Sequence, residues 1–337
     1  MKLGLENIMR LLMLLGEPQK EFPAILVAGT NGKGSVVTYV SSILRASGLK
    51  VGTFYSPHLF RINERVRLNG DEIPSPVLDG ILGKLRGFYD KAPFTFFEGM
   101  TAAAIFHFAR EGVDLAVFEV GLGGRLDATR LVETVVTVIT GISEDHREHL
   151  GRTRHSILKE KLGIVRTGVP LVANLAAKTL VETARSRCMA ESAPFYDVRK
   201  ESRAVLRLLG PERMVLDLTT ASRNYRGLET RMIGRVQRVN IATAVRTVEV
   251  LVKARSVRGS TGGGRPERTE KLLHRSKGPG GVILKRLTAR TVRDGVASAF
   301  LAGRFQVLPG TPRIILDVSH NEEALLEALD SLGSISS

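Results

Sequence analysis

A short apolar run, Ala24 to Ala28, opens directly into Gly29-Thr30-Asn31-Gly32-Lys33-Gly34-Ser35, and residues at helical spacing follow from Ser35 to Ala46. Strand, glycine-rich loop and helix in that order make a phosphate cradle, because glycines let backbone N–H groups turn inward around an anion at a helix N-terminus. Lys33 then meets terminal phosphates, while the Ser35 hydroxyl meets Mg²⁺ or a phosphate oxygen. The general pattern G-x-x-x-x-G-K-[ST] is matched imperfectly, since Gly34 separates Lys33 from Ser35 and Gly29 stands too close. Taken alone, such a turn is also compatible with a plain tight βα connection. Here the lysine, the hydroxyl and the flanking elements agree on a nucleotide.

Apolar runs alternate with helical patterns through the first half. Val51 to Tyr55, Leu115 to Glu119, Val135 to Thr140 and Pro170 to Ala173 read as further strands, with helices at Ser35 to Ala46 and Met100 to Arg110 between them. This is the βαβ signature of a parallel sheet with helices on both faces. Tyr39, Ile43 and Leu44 are expected to face it. From Phe195 to Arg231 short alternating runs predict a small antiparallel β subdomain. A helix from about Val239 to Lys253, one from Thr291 to Leu301, strands near Phe305 to Leu308 and Arg313 to Val318, and a helix from Glu322 complete the expectation.

The single cysteine, Cys188, excludes an internal disulfide and a thiolate zinc site, and fits a reducing cytoplasm. The opening apolar stretch, Ile8 to Leu15, is interrupted by Arg10 and reads as an amphipathic helix. No run reaches the roughly 20 apolar residues of a membrane span. The net charge of +15 raises nucleic-acid binding, but between Lys253 and Arg290 eleven Lys/Arg face only Glu267 and Glu270. That stretch is glycine-rich and has no aromatic residue to stack on bases, so a flexible basic loop at about 253–288 is expected.

In an open parallel sheet, ligands sit beyond the carboxyl ends of the strands. The phosphate loop, Ser56 and His58, Glu119, and His146 all follow strand ends, which places them at one edge. Each has an ordinary structural reading when taken singly.

The loop G-T-N-G-K-G-S resembles that of the folylpolyglutamate synthase branch of the Mur ligases, the peptidoglycan branch usually lacking the extra glycine. The similarity continues through Ser56-Pro57-His58-Leu59, Asn63-Glu64-Arg65-Val66, Phe96-Phe97-Glu98, the run Glu119 to Thr129, Asp145-His146, Glu160-Lys161, Gly303-Arg304-Phe305 and Asp317-Val318-Ser319-His320-Asn321. Departures are Glu144 before Asp145-His146, Leu162 after Lys161, and the length of the basic loop.

The resemblance implies ATP and Mg²⁺ as cofactors, with L-glutamate joined to a folate or dihydropteroate carboxylate through an acyl phosphate. It implies that Ser56, Glu119 and His146 hold metal, and that Lys161, if carbamylated, holds a second ion; its alternative is a solvated lysine in the run Lys159-Glu160-Lys161. Asn240, Arg304, Asp317 and His320 are implied for the nucleotide, Lys33, Glu119, His146 and Lys161 for catalysis, and Pro57, His58 and Phe97 for the acid, although a phenylalanine beside an Ala-rich helix is more often core. The expected organisation is an ATP-binding unit at 1–290 and the start of a second, Rossmann-like domain at 291–337, in a monomer. Because the family's last domain continues for about one more small domain, the chain reads as C-terminally truncated. Three readings compete: another amide ligase of the superfamily, a basic nucleic-acid-binding P-loop protein, and an inactive nucleotide-binding fragment.

Overall fold

The computed structural model describes residues 4–144, 151, 153–256 and 287–335. Eight strands form one sheet: β1 (Pro23–Ala28), β2 (Val51–Phe54), β3 (Val66–Leu68), β4 (Asp71–Glu72), β5 (Leu115–Glu119), β6 (Glu133–Ile139), β7 (Leu171–Ala173) and β8 (Phe195–Asp197). Their order is β4-β3-β2-β5-β1-β6-β7-β8, parallel from β2 to β8, with β3 and β4 added antiparallel at one edge. A parallel sheet needs cover on both faces. Strand β1 shows why its sequence is apolar throughout: Ile25 and Val27 enter one core, Ala24, Leu26 and Ala28 the other.

The second of those cores is closed by α1 (Glu6–Leu14), α3 (Ser75–Arg86), α4 (Phe96–Glu111), α5 (Arg154–Lys161) and α6 (Lys178–Ala190). The first is closed by α2 (Lys33–Ala46) with, beyond a one-turn helix α7 (Val198–Glu201), α8 (Gln237–Ser256) and α9 (Ala289–Ser298). A three-stranded antiparallel sheet, β9 (Ser202–Leu209), β10 (Met214–Thr220) and β11 (Asn224–Thr230), packs into the same core. The expected β subdomain is therefore present, except that Phe195–Asp197 joins the large sheet beside β7.

Helix α2 is buried from Gly34 through Leu44. One expectation fails here. The Tyr39 hydroxyl pairs with Thr230 Oγ1 of β11 at 3.0 Å, so Tyr39 reaches the small sheet. Helix α9 lies against α2 as well: a Cβ on Gly295 would stand 2.4 Å from Ile43 Cα, an approach that only glycine permits, and Val292, Val296 and Ala299 enter the first core. The strands β12 (Gln306–Leu308) and β13 (Ile314–Leu316) pair antiparallel and are followed by α10 (Glu322–Ile335). Among the described residues no helix is long and apolar enough to cross a membrane. The expected basic loop lies largely outside the described residues.

Candidate active site

The carboxyl ends of the parallel strands open into a cleft of about 1180 Å³, bounded by the loops that follow β1, β2, β5, β6 and β7, the start of α8, and the segment 301–331. The strand-end rule thus gathers most of the expected residues at one edge.

The phosphate loop is held from below and from both sides. Thr30 Oγ1 donates to the Ser143 carbonyl and accepts from the Ser143 N–H, each at 3.2 Å, and Thr140 Oγ1 donates to the Asn31 carbonyl at 2.6 Å. Lys161 Nζ donates to the Gly29 carbonyl at 2.7 Å, and Lys33 Nζ to the Thr30 carbonyl at 2.9 Å. Lys161 is only 6% exposed, which excludes the solvated lysine that the run Lys159-Glu160-Lys161 suggested. Position 161 lies on the inner face of α5 with Leu158, so its ammonium reaches the loop instead of water.

Gly32 adopts φ +80°, and a Cβ there would stand 2.5 Å from Asn240 Oδ1. Asn240 at the start of α8 is therefore in contact range of the loop. Its Nδ2 donates to Gln237 Oε1 at 3.0 Å, and Gln237 Nε2 donates to Ser35 Oγ at 3.5 Å. Arg304 arrives from the far end of the chain: its Nη2 stands 3.0 Å from the position of a Cβ on Gly34, and Glu119 Oε2 stands 3.4 Å from that same position. Asn31 and Asn321 exchange amide hydrogen bonds at 3.2 and 2.9 Å across 290 residues of sequence.

Glu119 ends β5 and is 4% exposed. The Ser56 N–H donates to its Oε2 at 3.3 Å, which sets Ser56 beside it. Burial pushes the Glu119 carboxyl above the ordinary glutamate range, against the opposing pull of Lys33 and Arg304. One buried carboxylate with a neighbouring hydroxyl fits Mg²⁺, which keeps several waters and takes only one or two carboxylates beside substrate phosphates. Among the described residues no cluster of three His, Cys, Asp or Glu exists that would suit a fully protein-ligated ion. His146 lies outside the described residues.

The residues expected to meet the acid divide. Ser56 and Pro57 line the cleft, together with Leu59 and Phe60. His58 instead accepts a 2.8 Å hydrogen bond at Nδ1 from Arg65 Nε, and Phe97 packs its ring 5.9 Å from that of Phe54 and lies under Gly121, where a Cβ would meet it at 2.6 Å. Neither side chain lines the cleft. Phe97 follows the commoner fate of a phenylalanine at the start of an apolar helix, which is packing. Asp317 and His320 do line it. Both Asp317 oxygens are also occupied, Oδ2 by the Phe305 N–H at 2.7 Å and Oδ1 by the N–H and hydroxyl of Ser319. His320 Nδ1 stands 3.0 Å from the Val318 carbonyl.

Several site residues carried no separable signal in the sequence. Thr140, Ser143, Gln237 and Asn321 act through loop contacts that no spacing rule describes. Asp127, inside the run Glu119 to Thr129, is buried and accepts from the N–H groups of Gly121 and Leu122 at 3.0 Å each and from the N–H and Oγ1 of Thr129 at 2.9 and 2.5 Å. It folds the glycine-rich loop after Glu119 onto the cleft wall. Asn174 links Thr140 to Arg199: its Nδ2 donates to the Thr140 carbonyl, and its Oδ1 accepts from Arg199 Nε, each at 2.8 Å.

This arrangement has counterparts among known proteins. The Mur ligase middle domain family matches residues 27–248. The dihydrofolate synthase/folylpolyglutamate synthase of Bacillus subtilis is 31% identical over 338 residues, which cover 98% of this chain and 72% of the relative. The Escherichia coli enzyme of the same description is 34% identical over 325 residues, covering 96% of this chain and 66% of the relative. A solved folylpolyglutamate synthase from Thermotoga maritima superposes with a TM-score of 0.82 at 30% identity, covering 99% of this chain and 72% of that one. A folylpolyglutamate synthase in complex with AMPPCP and folate gives 0.82 at 28% identity, covering 97% and 75%. With the family's middle domain matched over most of its length, and relatives above 30% identity aligned along nearly all of it, the chain belongs to the Mur ligases, in their folylpolyglutamate synthase/dihydrofolate synthase group.

Proposed function

We propose that the cleft activates a folate or dihydropteroate carboxylate with ATP and joins it to L-glutamate. The observation that carries this reading is the convergence of Lys33, Glu119 and Arg304 around Gly34, a buried carboxylate flanked by two cations at the head of a phosphate loop. A carboxylate oxygen attacks the γ-phosphorus and ADP leaves. The glutamate amine then attacks the acyl carbon, inorganic phosphate leaves, and the amine's proton is lost to solvent or to a base. The two steps replace one difficult condensation. Phosphoryl transfer asks the protein for position and charge, since negative charge is spread over the transferred oxygens. Lys33 and Arg304 supply that charge, and the N–H groups of residues 30–35 cradle the β- and γ-phosphates. Glu119 and Ser56 would hold Mg²⁺, which neutralises phosphate charge. Asn240 and Asp317 recognise the nucleoside, and Leu59 and Phe60 offer an apolar surface to the acid in place of His58 and Phe97. Lys161 anchors the phosphate loop through its ammonium; carbamylation would exchange that donor for an acceptor and release Gly29. We assign everything through about residue 299 to the nucleotide unit, because α9 packs on α2.

Two measurements test the proposal. The chain loaded with Mg-AMPPCP should bind folate, tetrahydrofolate or dihydropteroate by calorimetry, and ADP release from Mg-ATP should rise only when one of these acids and L-glutamate are present together. A folded chain that binds AMPPCP but responds to none of these acids in either assay overturns the substrate reading. Lys33→Ala should abolish AMPPCP binding while leaving the melting temperature unchanged, because Lys33 fills no core; undiminished affinity would remove Lys33 from the site.

A further inference from the structure

Remote from the cleft, a second, surface-open hollow of about 540 Å³ lies between α3 and α4, within the size range of small-molecule sites. It lies at the edge where strands begin: Lys50, just before β2, donates its N–H to Asp114, just before β5, and pairs through Nζ with Glu111 at 3.0 Å beside the cavity. The cleft lies at the opposite edge.

Three features of this cavity point to a ligand. His107 lines it and is only 5% exposed, yet its ring nitrogens make no hydrogen bond to any described residue and neither is sealed from solvent. Both nitrogens are therefore open to water or to a ligand entering the hollow. Lys84 and Arg110 stand over the Phe106 ring, 4.6 and 5.8 Å from its centroid, and neither has a carboxylate partner among the described residues. The one acid at the cavity, Glu111, is already neutralised by Lys50. Finally, Gly80 sits inside α3, where a Cβ would meet nothing within 4 Å. A helix-interior glycine costs stability, and here its missing side chain leaves the space between the apolar wall of Val77 and Ile81 and the cationic mouth.

We propose that this cavity binds a small organic anion, its flat apolar body lying along Val77 and Ile81 across Gly80 and its carboxylate or phosphate head meeting Lys84, Arg110 and a ring nitrogen of His107. The site does not depend on the identity of the acid handled in the cleft.

The test is calorimetric titration of the full chain with benzoate, phenyl phosphate and uncharged benzamide. At least one of the two anions should bind saturably, the tighter one naming the head group, and benzamide should bind at least about tenfold more weakly. Gly80→Leu fills the cavity with a better helix former and should melt no lower than the parent. That variant, and separately the double variant Lys84→Met with Arg110→Met, should each weaken the anion by about tenfold or more. Lys33→Ala, which disables the cleft, should leave anion binding unchanged. Absence of saturable binding, equal binding of benzamide, or affinity lost in Lys33→Ala overturns the proposal. So does binding that survives the filled cavity or, should Gly80→Leu not fold, binding that survives the double variant.

Discussion

Replacing Asp127 should destabilise this chain more than its short side chain suggests. The carboxylate is buried, and four donors end on it: the N–H groups of Gly121, Leu122 and Thr129 and the Thr129 hydroxyl. Hydrogen bonds to charged acceptors contribute about 1.5–3 kcal/mol each, and a buried N–H left without a partner costs about 1–3 kcal/mol. In Asp127→Ala the Thr129 hydroxyl can turn elsewhere, and a water admitted to the vacated space recovers part of the remainder. The three backbone donors then set a loss of about 3–5 kcal/mol. Asp127→Asn keeps one carbonyl oxygen and turns an NH₂ toward one pair of donors, so its loss should be smaller, about 2–3 kcal/mol. Urea unfolding followed by circular dichroism at neutral pH measures both, with an unchanged m-value reporting that only stability moved. Because the loop stapled by Asp127 forms the cleft wall next to Glu119, Mg-ATP affinity should fall in the same order. An Asp127→Ala chain within about 1 kcal/mol of the parent would show that the loop holds itself and that the four bonds contribute nothing net.

Three further outcomes follow from the same geometry. Folding raises the Glu119 pKa, so this group contributes stability below its unfolded value near ~4.3 and loses it as pH rises through the folded value; Glu119→Gln should therefore melt above the parent at pH 7, by a margin that shrinks on acidification, while turnover is abolished, and a lower melting point at pH 7 would refute the burial argument. Gly32→Ala must place a Cβ at φ +80° and 2.5 Å from Asn240 Oδ1, costing about 1–3 kcal/mol and most of the AMPPCP affinity; Asn240→Ala in the same chain should relieve the clash but not the backbone strain, as thermal melts can read. Burial pushes the Cys188 thiol up to about 12, so Ellman's reagent at pH 8 should label the chain only as fast as it unfolds; rapid labelling of the native chain would contradict the packing of α6.

The main lines of the fold were legible because the parallel strands other than the edge strand β8 are buried on both faces and read as continuous apolar runs. The gathering of the candidate site was legible where a residue follows a strand end, as at Lys33, Ser56 and Glu119, which line one cleft. Legibility failed where a residue's meaning depends on contacts that only the assembled fold supplies. Lys161 stands in a charged run that looks solvated, and only the arrival of α5 beneath Gly29 buries it. Tyr39 sits at a spacing suited to the large sheet, but α2 is enclosed on all sides and its hydroxyl finds Thr230, 191 residues later. Phe97 and His58 lie in motifs that resemble substrate-binding ones, yet the first packs against Phe54 and the second is held by Arg65, contacts that periodicity does not encode. Asp127 looked like one letter in a glycine-rich run until its four donors were assembled around it.

The reciprocal amide pair between Asn31 and Asn321 has a consequence in time. At about 5–20 residues per second of synthesis, roughly 15–60 s separate the two asparagines on the ribosome. During that interval β1 and α2 can form with the phosphate loop exposed, but Arg304, Asp317 and Asn321 do not yet exist. A nascent chain therefore carries the phosphate loop without the side of the cleft that 301–331 supplies. The cleft wall that Asn321 completes arises only when the segment carrying it has been made and docks on the phosphate loop.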